Sequence, residues 1–356
     1  MKALRIYAGP QARQHIEKNG LQPGDIGLLP GAAGGPKALI LGPLDRYIFG
    51  EWLAATEHPV HLVGASVGAW RMASACLDDC VNAFELLEHD YIRQDYSLPP
   101  GRKRPLARDV SASFGQNLKN FYAGRVGEIL GHARYKLHVF ASRGRLLLSR
   151  EQKARTVAGY ALAFLSNLAQ RRALGYWLER VVFSSQEVLP LDLGDYRTRL
   201  ARLDEANFHL AVRASCSIPF LLESVPDIPG APPGAYWDAG LTDYHLHLNY
   251  AGLGKRLVLY PHFQKAVVPG WLDKPLKRRH RATQFLDNVI VLAPDPAWVA
   301  ALPHGKLPDR TDFPRYANDF QGRVKAWTTA AQASRQLADE FASWLLRPDL
   351  AQVHPL

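Results

Sequence analysis

The chain reads as an α/β protein, a three-layer α/β/α sandwich built on a mostly parallel sheet. Three observations predict this. Short aliphatic and β-branched runs recur along the 356 residues, most of them are continuous rather than alternating, and helix-like stretches separate them. A strand that alternates can leave one face in water, whereas a continuous apolar strand must be covered on both, so helices are expected on each side of the sheet.

The elements follow in order. "DIGLLPG" (25–31) and "VHLVGAS" (60–66) read as strands. Between them, "PKALILGPLDRYIFGEWLAA" suits one buried helix opening at Pro36, because a proline's fixed φ and missing N–H cost nothing in a first turn. A helix-like run from Val67 to about Leu77 follows the second strand, and "VNAFELLEHDYIRQDY" follows that. Further strands are expected at "KLHVFAS" (136–142), "RVVFSS" (180–185), "AYWDAG" (235–240), "RLVLYP" (256–261) and "NVIVLAP" (288–294). Segments 97–110 and 225–234 are rich in Pro and Gly and read as loops placed to border a site. Near the end, Phe320, Val324, Trp327, Ala331, Leu337, Phe341, Trp344 and Leu345 recur close to a 3.6 period, which predicts one long amphipathic helix. The expected division is a main domain over 1–315, with its motifs in 24–245, and a C-terminal helix in 316–356 packed on the same domain.

Composition narrows the class. Hydrophobic residues make up 47% and charged residues 21%, an ordinary globular balance. No apolar run reaches the roughly 18 to 20 residues of a membrane span, and "MKALRIYAGPQARQH" has no signal-like apolar region, so a cytoplasmic protein is expected. Cys76, Cys80 and Cys216 form neither a disulfide framework nor a zinc-binding pair and read as packing residues. The net charge of +10 is concentrated in "GRKRPLAR" (101–108), "SRGRLLLSREQKAR" (142–155) and "KPLKRRHR" (274–281). Such patches attract an anionic membrane surface. Nucleic acid is disfavoured as a partner, since the basic runs lack interleaved aromatics and no recognition module is present.

The chemistry centres on "VHLVGASVGAW" (60–70). Gly64, Ser66 and Gly68 spell G-x-S-x-G, in which a strand turning sharply into a helix lifts a serine hydroxyl out of the sheet and tolerates only small neighbours. Upstream, "GAAGGPKA" (31–38) is a second Gly-rich strand-to-helix turn, one β-α unit away. In a parallel sheet both turns emerge at the carboxyl edge, so the amides of Gly34 and Gly35 are candidates for an oxyanion hole, with Lys37 adding positive charge. The loop lacks the spacing of a phosphate-binding P-loop, because Pro36 and not a glycine stands immediately before Lys37, and Ala38 stands where Ser or Thr belongs. Downstream, "GAYWDAGLTDYHL" sets Asp238 at the end of a strand, followed by Ala239 and Gly240, where a carboxylate could take the serine proton directly. A Ser-Asp-His triad is the rival, with His245, His247, His262 and His304 as candidates. His245 and His247 also form an H-x-H, but no third ligand accompanies them, and neither a metal nor a cofactor is expected.

Together G-G-P-K (34–37), G-A-S-V-G (64–68), A-S-C-S-I-P (214–219) and D-A-G (238–240) resemble, in order and spacing, the patatin-like phospholipase family. The resemblance implies a Ser-Asp dyad without histidine, with Ser66 as nucleophile, Asp238 as base, and Gly34 and Gly35 as oxyanion donors. It covers about 24–245 and departs from the family at Ala33, Ala38 and Ala239, where glycines are usual, and at Tyr244 and Leu246. The expected activity is hydrolysis of lipid acyl esters. The alternatives are a thioesterase or acyltransferase acting on soluble acyl carriers, and a non-catalytic lipid binder of the same fold.

Overall fold

A computed structural model describes residues 1–96, 105–186 and 188–356. Its strands are β1 (Leu4–Ala8), β2 (Ile26–Gly31), β3 (Val60–Ala65), β4 (Tyr135–Gly144), β5 (Leu178–Ser184), β6 (Thr198–Arg202), β7 (Val225–Pro226), β8 (Ala235–Trp237), β9 (Leu257–Pro261), β10 (Val289–Pro294) and β11 (Val353–Pro355). They form one 11-stranded sheet in the order β11-β1-β10-β9-β2-β3-β4-β5-β6, with β7 and β8 attached beside β4. The pairs β9/β10, β2/β9, β2/β3 and β3/β4 run parallel, and antiparallel pairing enters at β1/β10 and β4/β5. Every residue of β2, β5, β9 and β10 is buried, as expected for strands covered on both faces. The fold is the expected α/β/α sandwich.

The α-helices of the described residues are α1 (Pro10–Asn19), α2 (Gly42–Tyr47), α3 (Val67–Ala75), α4 (Cys80–Arg93), α5 (Ala107–Phe121), α6 (Val126–Gly131), α7 (Lys153–Ala169), α8 (Phe208–Ser215), α9 (Gly240–Asp243), α10 (Pro296–Ala301), α11 (Asp312–Arg315), α12 (Phe320–Ala333) and α13 (Arg335–Leu346). Two helical expectations are corrected. The segment opening at Pro36 is a 3-10 turn over Gly35–Leu41, then α2, then a π turn over Ile48–Trp52. Pro43 supplies no N–H for the bond an α-helix would make there, so the ribbon changes pitch. The C-terminal run is two helices, not one. They meet at Ser334, whose hydroxyl donates back to the Ala331 carbonyl (2.7 Å).

The C-terminal helices are built into the core. Phe341 packs edge-on against Tyr47 and Trp52, and Glu340 accepts the backbone N–H groups of Ala3 and Leu4. Behind the site, buried Arg180 holds Asp243 bidentately at 2.8 and 2.6 Å, which fixes α9 against β5. Of the Pro- and Gly-rich segments, residues 97–104 lie outside the described residues, and with them half of the basic run 101–108.

Candidate active site

The site is assembled where β3 stops. In the register of the sheet Ala65 pairs with Phe140, and beyond Ala141 the same edge of β4 is taken by β8, with Trp237 opposite Ser142. The two strands therefore meet nearly end to end. Ser66, leaving β3, and Asp238, leaving β8, face each other across the join: the Ser66 hydroxyl donates to Asp238 Oδ2 at 2.7 Å. Both side chains are buried, at 4% and 6% exposure.

Ser66 sits at φ 56°, ψ −129°, a conformation that L residues seldom adopt and that costs on the order of 1–3 kcal/mol. The elbow can be this tight only because its neighbours lack side chains. A Cβ on Gly64 would lie 2.3 Å from Ala69 Cα, and one on Gly68 would lie 1.8 Å from the Gly31 carbonyl oxygen. The strain is held by the end of α8 and the residues just after it. Ser215 Oγ accepts the Ser66 N–H (2.8 Å), the Ser215 carbonyl accepts the Ala239 N–H (3.0 Å), and the Ser217 carbonyl accepts the Asp238 N–H (2.8 Å). The A-S-C-S-I-P stretch thus ties the Ser66 turn to the Asp238 turn.

Asp238 is oriented through its other oxygen, since Oδ1 accepts the Gly240 N–H at 2.7 Å. A Cβ on Gly240 would lie 2.8 Å from that same Oδ1 and 3.1 Å from Ala33 Cβ, so this position has no room for a side chain. Burial raises the Asp238 carboxyl above its usual range, opposed by the Ser66 hydrogen bond, the charge of Arg310, the Gly240 N–H and the charge of Lys274.

The Gly-rich loop is anchored by Ala33, whose N–H donates to the Tyr244 carbonyl (2.9 Å). Gly35 lines the same cavity as Ser66, at φ 56°, with Pro36 and Val67 beside it. Among the described residues no acceptor meets the N–H groups of Gly34, Gly35 or Val67, which open their helical segments and have no intrahelical partner. Gly34 backs onto Phe263, where a Cβ would come within 2.3 Å of the ring. The cavity is mostly apolar: Trp70, Val110, Phe114, Ile218, Leu222 and Phe313 form much of its wall, with Gln94, Tyr91 and Tyr96 among the polar residues that share it.

Lys37 is not at this cavity. Its ammonium lies 5.4 Å from the Phe263 ring centroid, and burial lowers its pKa. The cation that lines the cavity is Arg310, with Nε 3.5 Å from the Cβ position of Gly35. The sequence offered no signal for it, because a lone arginine in an irregular loop belongs to no pattern. Cys216, expected only to pack, lines the cavity next to Ser66; burial and the nearby Asp238 charge push its thiol well above the usual range, which keeps it a poor nucleophile.

None of the four candidate histidines hydrogen-bonds to Ser66 or Asp238. His245 accepts the Val268 N–H, His247 bridges the Val267 carbonyl and Thr283, His262 accepts the Gln264 N–H, and His304 meets Tyr316. Among the described residues no cluster of three or more His, Cys, Asp or Glu is placed to hold a metal ion. No helix of the described residues is long and apolar enough to cross a membrane.

No family model matches the chain, and no curated protein matches it. Among solved structures it is similar to VipD from Legionella pneumophila, at 13% identity and a TM-score of 0.34, over 89% of this chain and 67% of that one. So remote a likeness assigns no activity.

Proposed function

We propose that the protein is a serine hydrolase of lipid acyl esters working through a Ser66–Asp238 dyad. The observation that carries this reading is the 2.7 Å hydrogen bond between a serine held in a strained strand-to-helix turn and a buried carboxylate. In the first half-reaction Ser66 Oγ bonds to the ester carbonyl carbon while its proton passes to Asp238. The carbonyl oxygen becomes an oxyanion facing the unpartnered amides of the Gly34–Gly35 turn and Val67. Collapse breaks the ester bond, the alcohol leaves with the proton from Asp238, and the acyl group stays on Ser66. Water then adds to the acyl carbon, giving its proton to Asp238. The Ser66 Oγ–C bond breaks, Ser66 recovers the proton and the fatty acid departs.

The apolar walls of the cavity favour an acyl chain over a polar one. Its rim favours a lipid surface. Phe220 is 60% exposed and Leu221, which also lines the cavity, is 46% exposed. Phe220 packs on Tyr160 of α7, whose Val157 and Leu165 are exposed as well. Arg150, Lys153 and Arg155 are exposed at the start of that helix, so an anionic membrane would meet an apolar and a basic surface together.

Ser66→Ala should lower hydrolysis of p-nitrophenyl butyrate by about 10³-fold or more, and should abolish labelling by a fluorophosphonate probe. Asp238→Asn should cost nearly as much, because the pair acts as a unit. Turnover by Ser66→Ala at the parent rate would refute the assignment.

A further inference from the structure

Trp70 stands one helical turn beyond Ser66 on α3 and lines the same cavity. Helical side chains lean toward the N-terminus of their helix, so a residue four places on covers the turn before it. Trp70 therefore closes off the space beside Ser66 rather than some remote part of the core.

The indole is wedged in place. Phe121 packs edge-on against it at 5.4 Å between ring centroids, Phe114 does so at 5.8 Å, and Tyr91 lies at 6.2 Å. The backbone is pinned as well, since the Trp70 carbonyl accepts the Ser74 hydroxyl at 3.0 Å and the Tyr122 hydroxyl at 3.1 Å. Trp70 is 4% exposed and Phe114 6%, so neither ring has solvent to swing into.

The room they leave is small. The cavity holds about 90 Å³. A cavity of roughly 150 Å³ accommodates the six carbons of benzene, so in proportion this one takes about four. A longer chain has two directions to run, and both are closed. One leads into Trp70 and Phe114, in a core packed too densely to yield. The other crosses Tyr91, Gln94, Tyr96 and Arg310, whose polar groups would lose water under methylenes without gaining a partner. The alcohol of the ester is left to the exposed rim at Leu221, so the restriction falls on the acyl side.

Resting on the hydrolase reading of Ser66, we propose that Trp70, backed by Phe114, ends the acyl pocket about four carbons deep, which makes esters of short-chain acids the substrate class and Trp70 the residue that sets chain length.

The test varies the acyl chain while the alcohol stays the same. Ser66-dependent kcat/KM for p-nitrophenyl esters should be highest for butyrate and about 10-fold lower or more for octanoate, whose chain overfills the pocket. Acetate should also be slower, because it forgoes the contacts of two methylenes. Trp70→Leu should raise the octanoate-to-butyrate ratio by about 10-fold or more. Phe114→Leu should raise it by a smaller factor and keeps the test open if the first variant fails to fold, with fluorophosphonate labelling of Ser66 reporting that the elbow is intact in each. Octanoate cleaved as well as butyrate by the parent overturns the chain limit, as does a ratio that neither substitution moves. Phosphatidylglycerol vesicles that bring octanoate up to butyrate also overturn it, because the wall would then give way at a lipid surface. The two readings fail differently. Ser66-dependent turnover that ignores chain length sinks the limit alone. No Ser66-dependent turnover of any of these esters sinks the hydrolase reading, and the limit with it.

Discussion

At Asp238 two demands oppose each other. As the base of the proposed dyad it must be ionised to accept the serine proton, yet burial favours its neutral form, and the Ser66 hydroxyl, Arg310, the Gly240 N–H and Lys274 recover only part of that cost. Activity should therefore rise with pH through a titration above the ordinary carboxylate range, seen as the acid limb of kcat/KM. Arg310→Gln removes a charge that lowers this pKa, so its acid limb should move to still higher pH. The stability consequence has the opposite direction. A carboxyl with a raised native pKa holds its proton where the unfolded chain has released it, so its contribution is full at low pH and is lost as pH rises through the native value. Asp238→Asn, which can still accept from Gly240 and can donate to Ser66, should have a higher Tm than the parent at neutral pH while losing activity. A lower Tm would show that the ionised carboxylate stabilises the fold.

Elements meet at the site through contacts with no spare volume. Gly68→Ala would place a methyl 1.8 Å from the Gly31 carbonyl oxygen, and since both partners are backbone neither can swing aside. A loss of about 3 kcal/mol or more is expected in urea unfolding. Ser215→Ala should be milder, at about 1–3 kcal/mol, because it leaves the buried Ser66 N–H without its acceptor. It should also lower kcat by loosening the elbow. These turns were legible because their chemistry demands small residues at fixed offsets, and the central strands because double burial makes them continuously apolar. The edge strands gave weaker signals: β6 is "TRLAR", largely exposed, and β11 is three residues long. The break at Ser334 was hidden because hydrophobic spacing passes through it nearly in phase. Lys37 and Arg310 show a different limit, since a sequence reveals that a charge exists but not which loop turns it toward a cavity.

At the scale of the whole molecule the site draws on the chain from residue 33 to residue 313, and the positive charge of the basic runs 142–155 and 274–281 is put to different uses. Some is used internally: Arg143 pairs with Glu179 at 2.6 Å, Arg279 with Asp273 at 2.8 Å, and Arg145 donates to the Gly175 carbonyl at 2.6 Å. Other residues of these runs face outward, with Arg150, Lys153 and Arg155 near the exposed apolar face of α7, and Lys277, Arg278 and Arg281 in a separate segment. Only the outward population can act on a membrane, so the two basic runs are not equivalent to their formal charges. The proposed membrane contact then has two separable parts. Sedimentation with phosphatidylglycerol vesicles should fall as ionic strength rises, because charges more than a Debye length apart cease to attract. Lys153→Gln combined with Arg155→Gln should weaken binding roughly 30-fold at low salt, from about 1 kcal/mol for each basic residue at such a surface. Phe220→Ala should instead weaken binding by a factor that is the same at every salt concentration, as expected for loss of apolar insertion. Binding indifferent to salt in the parent, or a Lys153→Gln/Arg155→Gln protein that sediments like the parent, would remove the start of α7 from the membrane contact.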